Sequence, residues 1–446
     1  MAMSAQTTEI IEKVKGDRKD FGIFFTPDWV VDFTIGLIED EGLEFDNLKI
    51  LEPAASGCQF LYGVKKNRRD IFTKAIRKVG VEVNREVIEH VHASDGITIV
   101  HHDYLLWDTE ERYDLIIGNP PYGIPSLSDH YTIKIDNKTK EKYKKVFETW
   151  HGKYNVYGAF IEKSIKLLKD NGQLLFIVPA TFMILDEFKK LRKFLSENGK
   201  TEIIYMGSEV FKPEADVTTV VLKFRKSREE KNKLKLYEHR EGSLELVLKD
   251  DSWRGEIVLL SSEFSREVDR VCSFRLRDIY EVRISPRTPE IRNSPYVIKS
   301  EDRDLKGLLP ILNGRNLKVG KVIYEPLTGY WIKPEHKTKL RKFFDRPHIV
   351  VGLGFRGDGQ IGSAYDYRVY PWMGDVYHLL RKNTLLNANF DLTEREVVEF
   401  LNSEIIKRYV KDIFREITYH LSITQLNVLP MPTREELCKL KETLTW

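Results

Sequence analysis

Cysteine is scarce in this chain. Cys58, Cys272 and Cys438 lie far apart with no CxxC pair. That argues against a disulfide framework or a cysteine zinc site and makes a reducing cytoplasm the expected compartment. Long hydrophobic runs are missing as well. No apolar stretch approaches the ~20 residues that a membrane helix requires, so no membrane partner is expected. The opening, Met1 to Asp20, is polar and mixed in charge, unlike a signal or transit peptide. His101, His102 and His130 lack a metal-ligand spacing such as HExxH, so they read as structural or surface groups and no metal is expected. An overall charge of one sign is lacking too: 71 Lys+Arg against 68 Asp+Glu leave a net of +3. Internal repeats and low-complexity segments are absent.

What is present points to two domains, since 446 residues exceed one ordinary domain. Hydrophobic residues at 41% and charged residues at 31% fit a globular protein with ample core. The charge is unevenly placed. From Glu263 onward 31 Lys+Arg face 25 Asp+Glu, a net of +6, and Ile291 to Val350 carries 13 basic against 6 acidic residues. A basic second half suits a polyanion held mainly by the C-terminal part; a solvated Lys-rich surface is the blander alternative.

The first half alternates strands and helices. Apolar runs at Lys49–Leu51, Gly80–Val83, Ile97–Val100, Asp114–Ile117, Leu174–Val178 and Ile203–Met206 read as strands. Helical spacing runs from Trp29 to Leu37, with Trp29, Val30, Phe33 and Leu37 on one face, Thr26 as N-cap and Pro27 in the first turn. A second helix runs from about Val156 to Leu168, ahead of Asn171-Gly172. This rhythm predicts an α/β doubly wound, mainly parallel sheet. Ile203–Met206 and Val217–Phe224 are joined by too short a loop for a crossover helix, so that pair is expected to be antiparallel. After about Val258 the texture changes to short β-like runs, and Glu394 to Phe414 reads as helical. The domain boundary is placed near Leu259, giving domains 1–258 and 259–446.

The sharpest signal is Asp114-Leu-Ile-Ile-Gly-Asn119-Pro120-Pro121-Tyr122. An apolar strand runs into a double-proline turn, at the strand end where an α/β sheet presents ligands. Two prolines fix φ and remove two N–H donors. The Asn119 side-chain oxygen and the Pro120 carbonyl remain as acceptors for the two hydrogens of an exocyclic amino group. That contact draws the nitrogen lone pair out of ring conjugation, while Tyr122 offers a face for stacking. The sulfonium of S-adenosylmethionine is so activated a methyl donor that no strong general base is needed. An ordinary strand-to-loop turn is the bland reading, and four contiguous matches in strand context make it the weaker one. The motif is specific to amino-group methylation, not to DNA.

Glu52-Pro53-Ala54-Ala55-Ser56-Gly57-Cys58 follows the first strand and opens a helix. Small residues there let backbone approach a cofactor, although one glycine does not make a GxGxxG fingerprint. Glu82 ends the second strand, where a ribose diol is usually gripped. Asp103 ends the third, where a carboxylate can accept from an adenine amino group and Tyr104 can cover the ring. Each alone is no more than a solvated strand end; together, beside Asn119, they make a pocket.

In this order, Phe25-Thr26-Pro27, Glu52-Pro53-Ala54, Asn119-Pro120-Pro121-Tyr122 and a long C-terminal domain, the chain resembles the TaqI-type (gamma-class) N6-adenine DNA methyltransferases of restriction–modification systems. The resemblance spans nearly the whole chain. It includes Trp150 to Phe160, Val178-Pro179-Ala180-Thr181, Gly207 to Phe211, Pro310 to Leu317, Ala364 to Trp372 and Leu401-Asn402-Ser403. It implies a seven-stranded Rossmann-like methyltransferase sheet with a C-terminal α+β target-recognition domain. It also implies that Thr26, Glu52, Ala54, Glu82, Val83, Asp103, Tyr104, Pro121 and Phe160 surround S-adenosylmethionine, released as S-adenosylhomocysteine. Asn119, Pro120, Tyr122 and Phe211 would form the pocket of a flipped-out adenine in double-stranded DNA. The loop after Phe211, Lys212-Pro213-Glu214-Ala215-Asp216, departs from the family pattern by one residue. Tyr419 stands where a family member has a proline filling the space of the flipped base.

Arg315, Arg356 and Arg368 are candidates for groove contacts, because Arg pairs bidentately with guanine; a phosphate contact or a plain surface position is an equal reading for each. The resemblance around Gly314-Arg315-Asn316 and Tyr370-Pro371-Trp372 implies a short palindromic site, with TCGA leading, a monomer, and a cognate restriction endonuclease acting separately. Two rivals stay open: an RNA or protein-glutamine amino-methyltransferase using the same turn, and a catalytically silent DNA-specificity module.

Overall fold

The computed structural model describes residues 26–90, 94–126, 132–213, 215–240, 242–302, 304–355, 359–384 and 388–443. The chain divides into two compact units, Met1–Leu259 and Leu260–Trp446.

The first unit is built on one sheet. Its strands are β1 (Lys49–Pro53), β2 (Arg77–Glu82), β3 (Ile97–His101), β4 (Tyr113–Gly118), β5 (Leu168–Pro179), β6 (Gly199–Gly207), β7 (Thr219–Lys226), β8 (Lys233–Arg240) and β9 (Ser243–Asp250), in the order β9-β8-β6-β7-β5-β4-β1-β2-β3. Strands β3, β2, β1, β4 and β5 run parallel. Every residue of β4 is buried, as expected of a parallel strand covered on both faces. β7 is antiparallel to both β5 and β6, as the short loop before it requires. Two strands extend the expected seven. β8 joins β6 in parallel and β9 returns antiparallel to it. Their alternation of polar and apolar residues is the period of a half-solvated edge, a weaker signal than a buried run.

Four helices bear on the site: α1 (Asp28–Gly36), α2 (Gln59–Asn67), α3 (Asn137–Val146) and α4 (Tyr157–Leu167). Two readings of α1 need correction. Pro27 itself occupies the N-cap with no side-chain cap, which leaves Thr26 outside the helix. Trp29 is 47% exposed, and the buried face is Val30, Val31, Thr34 and Ile35. The reason lies in α2: a Cβ at Gly63 would meet Ile35 and Val31 at 2.5 and 2.7 Å, so the two helices approach along that face.

The second unit carries a four-stranded antiparallel sheet, order β10-β13-β11-β12, from β10 (Tyr280–Ile284), β11 (His348–Gly352), β12 (Ser363–Asp366) and β13 (Val376–Arg381). Its core gathers Leu312, Phe344, Val350, Ala364, Trp372 and Val376. The stretch read as helical from Glu394 to Phe414 forms two helices, α5 (Glu394–Leu401) and α6 (Glu404–Phe414). Ser403 caps α6 by accepting from Ile406 N. Asn402 turns its amide onto Ser363 N and O, at 3.0 and 2.9 Å. Local capping chemistry thus outcompetes continued helix. Among the described residues no helix is long and apolar enough to cross a membrane.

Candidate active site

The sheet order sets strands β4, β1, β2 and β3 side by side. Their C-terminal ends therefore present Asn119, the loop from Ala54, Glu82 and Asp103 along one edge, as the sequence predicts.

The loop after β1 is strained. Ala54, Ser56 and Cys58 all have positive φ, at 54°, 45° and 58°. Left-handed backbone at non-glycine residues costs about 1–3 kcal/mol each and is kept where structure over-determines it. Here two carboxylates hold the loop. Glu52 accepts from Phe60 N (3.1 Å) and Leu61 N (2.9 Å), capping α2. Glu82 accepts from Ser56 N (2.9 Å), Val83 N (2.9 Å) and Asn84 N (2.8 Å). Burial pushes Glu52 up to about 8 against the lowering effect of those two amides, and burial raises Glu82 as well. Both acids therefore serve the loop backbone, a role their motif positions alone do not reveal. The Ser56 Oγ in the same loop is buried without a hydrogen-bond partner among the described residues. An orphaned hydroxyl beside a strained loop fits a ligand-holding cradle. Ala54 is half-buried and Val83 is 51% exposed.

Asp103 follows β3. Its Oδ1 accepts from Leu105 N at 2.9 Å and its Oδ2 from the Tyr143 hydroxyl at 2.7 Å. Tyr104 is buried, and its ring lies 5.0 Å from that of Phe160. Its hydroxyl meets Ser164 Oγ at 2.8 Å. Lys163 Nζ sits 5.2 Å from the Tyr104 ring centre and donates to the Leu105 carbonyl at 3.2 Å; burial lowers this lysine to about 8. Tyr143, on α3, and Lys163, on α4, are residues that sequence reasoning missed. Each is polar on an otherwise ordinary helix, and nothing local marks it.

At the end of β4, Asn119 is half-buried, Pro120 buried and Pro121 half-buried. Asn119 Nδ2 donates to Thr26 Oγ1 at 3.1 Å. The Tyr122 hydroxyl lies within reach of both Asn119 Oδ1 (2.5 Å) and the Ile177 carbonyl (2.9 Å), with one proton for the two. Burial drives that phenol well above its ordinary value, so it stays a donor. Asn155 Oδ1 accepts from Gly123 N at 2.8 Å and ties down the far side of the turn. The rings of Tyr122 and Phe211 stand 6.3 Å apart at 76°. A flat ligand lying on the Tyr122 face would meet Phe211 edge-on; a sandwich between two faces is not what this geometry offers. Lys212, beside Phe211, pairs with Glu209 at 2.6 Å.

In the second unit Arg315 is exposed, and its Nη2 donates to the Leu327 carbonyl at 2.7 Å. Arg368 is exposed too, with its guanidinium 4.8 Å from the Tyr324 ring and 5.7 Å from that of Tyr367. Tyr419 is 65% exposed on a loop pinned by Leu421 N to the Leu353 carbonyl (2.8 Å) and a Gly354–His420 bridge. Register separates these residues. His348 faces Asp366 and Val351 faces Ser363, so Arg368 follows one end of the β11–β12 pair while Tyr419 lies beyond the other. Arg356 and His130 lie outside the described residues. Among the described residues no group of three or more His, Cys, Asp or Glu could hold a metal ion.

Comparison with known proteins agrees with this arrangement. Residues 55–211 match the Eco57I restriction-modification methylase family, and residues 309–431 match the TaqI-like C-terminal specificity domain. The chain is 37% identical over 417 residues to a type II methyltransferase of Thermus thermophilus, covering 92% of this chain and 91% of that protein. It is 31% identical over 194 residues to the type II methyltransferase M.HincII of Haemophilus influenzae, covering 43% and 34%. Among solved structures, the type IIL restriction-modification enzyme MmeI in complex with DNA aligns over 95% of this chain and 69% of that chain, with a TM-score of 0.50 at 11% identity. That last likeness is one of fold.

Proposed function

The chain belongs to the type II DNA methyltransferases of restriction–modification systems, and from that premise we propose that it methylates N6 of a flipped-out adenine in a short duplex site, TCGA leading. The observation that carries the reading is the Asn119–Pro120 acceptor pair at the end of β4, next to the perpendicular rings of Tyr122 and Phe211. That pair suits an aromatic amino group, and the specificity domain suits duplex DNA as its carrier.

The strained Ala54–Cys58 loop, Asp103, Tyr104 and Phe160 would hold S-adenosylmethionine, with Thr26, Val83 and Pro121 alongside. When bound, that group supplies a methyl on an activated sulfonium. The protein's own part is positioning. Arg315, Arg368 and Arg356 contact DNA, and Tyr419 fills the space left when the base leaves the stack. Extruding a base from a duplex costs a few kcal/mol, a step general to methyltransferases that act on bases in DNA. Tyr122 takes the face of the adenine and Phe211 its edge. Asn119 Oδ1 and the Pro120 carbonyl accept the two N6 hydrogens; a carboxamide oxygen accepts two hydrogen bonds, so Tyr122 and the base can share it. Alignment and electrostatics, not proton transfer to a strong base, then lower the barrier. The chain works as a cytoplasmic monomer beside a separate endonuclease.

The test is to incubate plasmid DNA with the enzyme and S-adenosylmethionine, then with a nuclease that cuts TCGA only when unmethylated. Protection is expected, with N6-methyladenine mapped to that site. Full cutting with N6-methyladenine at another motif would refute TCGA alone. Methyl incorporation into RNA or protein but not into DNA would overturn the adenine-in-DNA reading, and specific DNA binding without incorporation would mark a silent specificity module.

A further inference from the structure

We propose that Thr26 is a positioning residue for the amide of Asn119, a role separate from any contact with the cofactor. The proposal rests on the function argued above. Asn119 reaches its acceptor role through a side chain whose last torsion has a broad, two-fold minimum. Nothing intrinsic to asparagine fixes the plane of that amide. Here two hydroxyls hold it from opposite ends. Thr26 Oγ1 accepts from Nδ2 at 3.1 Å, and the Tyr122 hydroxyl approaches Oδ1 at 2.5 Å. Tyr122 belongs to the same turn as Asn119, but Thr26 comes from 93 residues earlier, so its presence there is a property of the fold.

Thr26 is itself held firmly. It is 1% exposed. Its carbonyl accepts from Gln59 Nε2 at 2.7 Å, and Gln59 opens α2 directly after the strained loop. Pro27 follows with φ of −56°, a value its ring imposes. The hydroxyl thus stands on a rigid support between the cofactor loop and the amide. With Nδ2 turned to Thr26, the oxygen end faces Tyr122 and the amine of the base. A rotated amide would instead bring an N–H donor toward the N–H2 of adenine and lose the acceptor the reaction needs.

The experiment compares wild type with Thr26→Val, which keeps the shape and removes the acceptor, and Thr26→Ser, which keeps the hydroxyl. Full-length enzyme and a target duplex are used. At saturating S-adenosylmethionine the single-turnover rate is expected to fall about 100-fold in Thr26→Val, the scale of a misplaced reacting group, with Thr26→Ser close to wild type. Any change in cofactor affinity, measured by calorimetry, is removed from the rate by that saturation. A second readout needs no cofactor: anisotropy competition between duplexes carrying adenine or purine, which lacks the amino group, at the target. The wild-type ratio of the two affinities should shift against adenine in Thr26→Val and return in Thr26→Ser. Thr26→Ala replaces the valine variant if the latter does not fold. A weaker cofactor affinity with a wild-type saturated rate and an unchanged adenine-to-purine ratio would assign Thr26 to the cofactor alone and overturn the proposal. A wild type that methylates no DNA would instead defeat the reading of function on which it stands.

Discussion

Tyr143→Phe isolates the hydrogen bond that holds Asp103. The hydroxyl donates to Asp103 Oδ2 at 2.7 Å, the length of a charge-assisted O–H···O⁻ bond. Burial and the Asp103 charge push the phenol well above its ordinary value, so it remains a donor throughout the physiological range. A hydrogen bond to a charged group is worth about 1.5–3 kcal/mol. Asp103 is half-buried and keeps a second partner in Leu105 N, so screening and the surviving bond place the loss near the lower end, about 1.5 kcal/mol. Phenylalanine retains the ring, which packs 6.0 Å from Trp150 and 6.5 Å from Phe147, so the fold should change little. If Asp103 receives the adenine of the cofactor, its misorientation raises the S-adenosylmethionine Kd roughly tenfold. Calorimetry on wild type, Tyr143→Phe, Asp103→Ala and the double variant closes a cycle. Asp103→Ala alone should cost about 1–3 kcal/mol of cofactor binding, and Tyr143→Phe should add almost nothing on top of it. Equal affinity in wild type and Tyr143→Phe, or full additivity in the double variant, would refute the orienting role.

Asn119→Ala should abolish methyl transfer while leaving S-adenosylmethionine binding nearly intact; equal single-turnover rates in mutant and wild type would remove it from the chemistry. Tyr122→Ala should weaken capture of the flipped adenine by about 1–3 kcal/mol, the scale of base–aromatic stacking, and Phe211→Ala, which removes an edge contact, by less. A fluorescent adenine analogue at the target would report that loss, and unchanged brightening in both variants would rule the assignment out. The second unit should loosen in mild acid. His348 Nε2 meets His378 Nδ1 at 2.8 Å and His378 Nε2 meets Ser285 Oγ at 2.8 Å; burial holds both imidazoles below 6.5, despite the Asp366 and Asp345 charges that favour protonated His348. Folded values below the unfolded one mean stability that is full above pH 6.5 and declines as pH falls below it. Hydrogen exchange in β11 and β13, corrected for intrinsic rates, should therefore quicken between pH 7.5 and 5.5; identical protection at both would contradict the sign.

What the sequence revealed, and what it hid, follows from the range of the interactions. The parallel core was legible because its strands are buried on both faces and read as unbroken apolar runs, as in Tyr113–Gly118. The Asn119–Tyr122 turn was legible because its residues are adjacent in the chain. The β8–β9 hairpin was not, since a half-solvated edge carries only an alternating pattern. Nor were the strained backbones of Ala54, Ser56 and Cys58, where a glycine-based rule would look for glycine. Glu52 and Glu82 occupy motif positions, yet their oxygens go to loop amides. The pairings Thr26–Asn119 and Tyr143–Asp103 join residues 93 and 40 positions apart; only the register of the folded sheet brings them together.

The placement of the functional side chains also separates two properties that selection can change independently. Tyr122 and Phe211 are 7% and 4% exposed, and Asn119 is held at both ends. Substitution there disturbs packing and chemistry together. Tyr419 at 65% and Tyr367 at 60% exposure, with Arg368 outside the core, sit on loops where a new side chain meets mostly solvent. Beneath Tyr367 and Arg368 the support is rigid: Asp366 is fully buried and accepts from Tyr324 at 2.8 Å, Trp372 at 2.8 Å and Val369 N at 3.1 Å. A mismatched base pair typically costs about 1–3 kcal/mol, an amount that one exposed side chain can supply or withdraw. On the function proposed above, a change of recognition sequence needs few substitutions on a fixed scaffold, whereas a change of the atom methylated needs a rebuilt turn at the end of β4. That asymmetry is why the amino-group chemistry can be argued from four contiguous residues, while the target site has to be read from DNA.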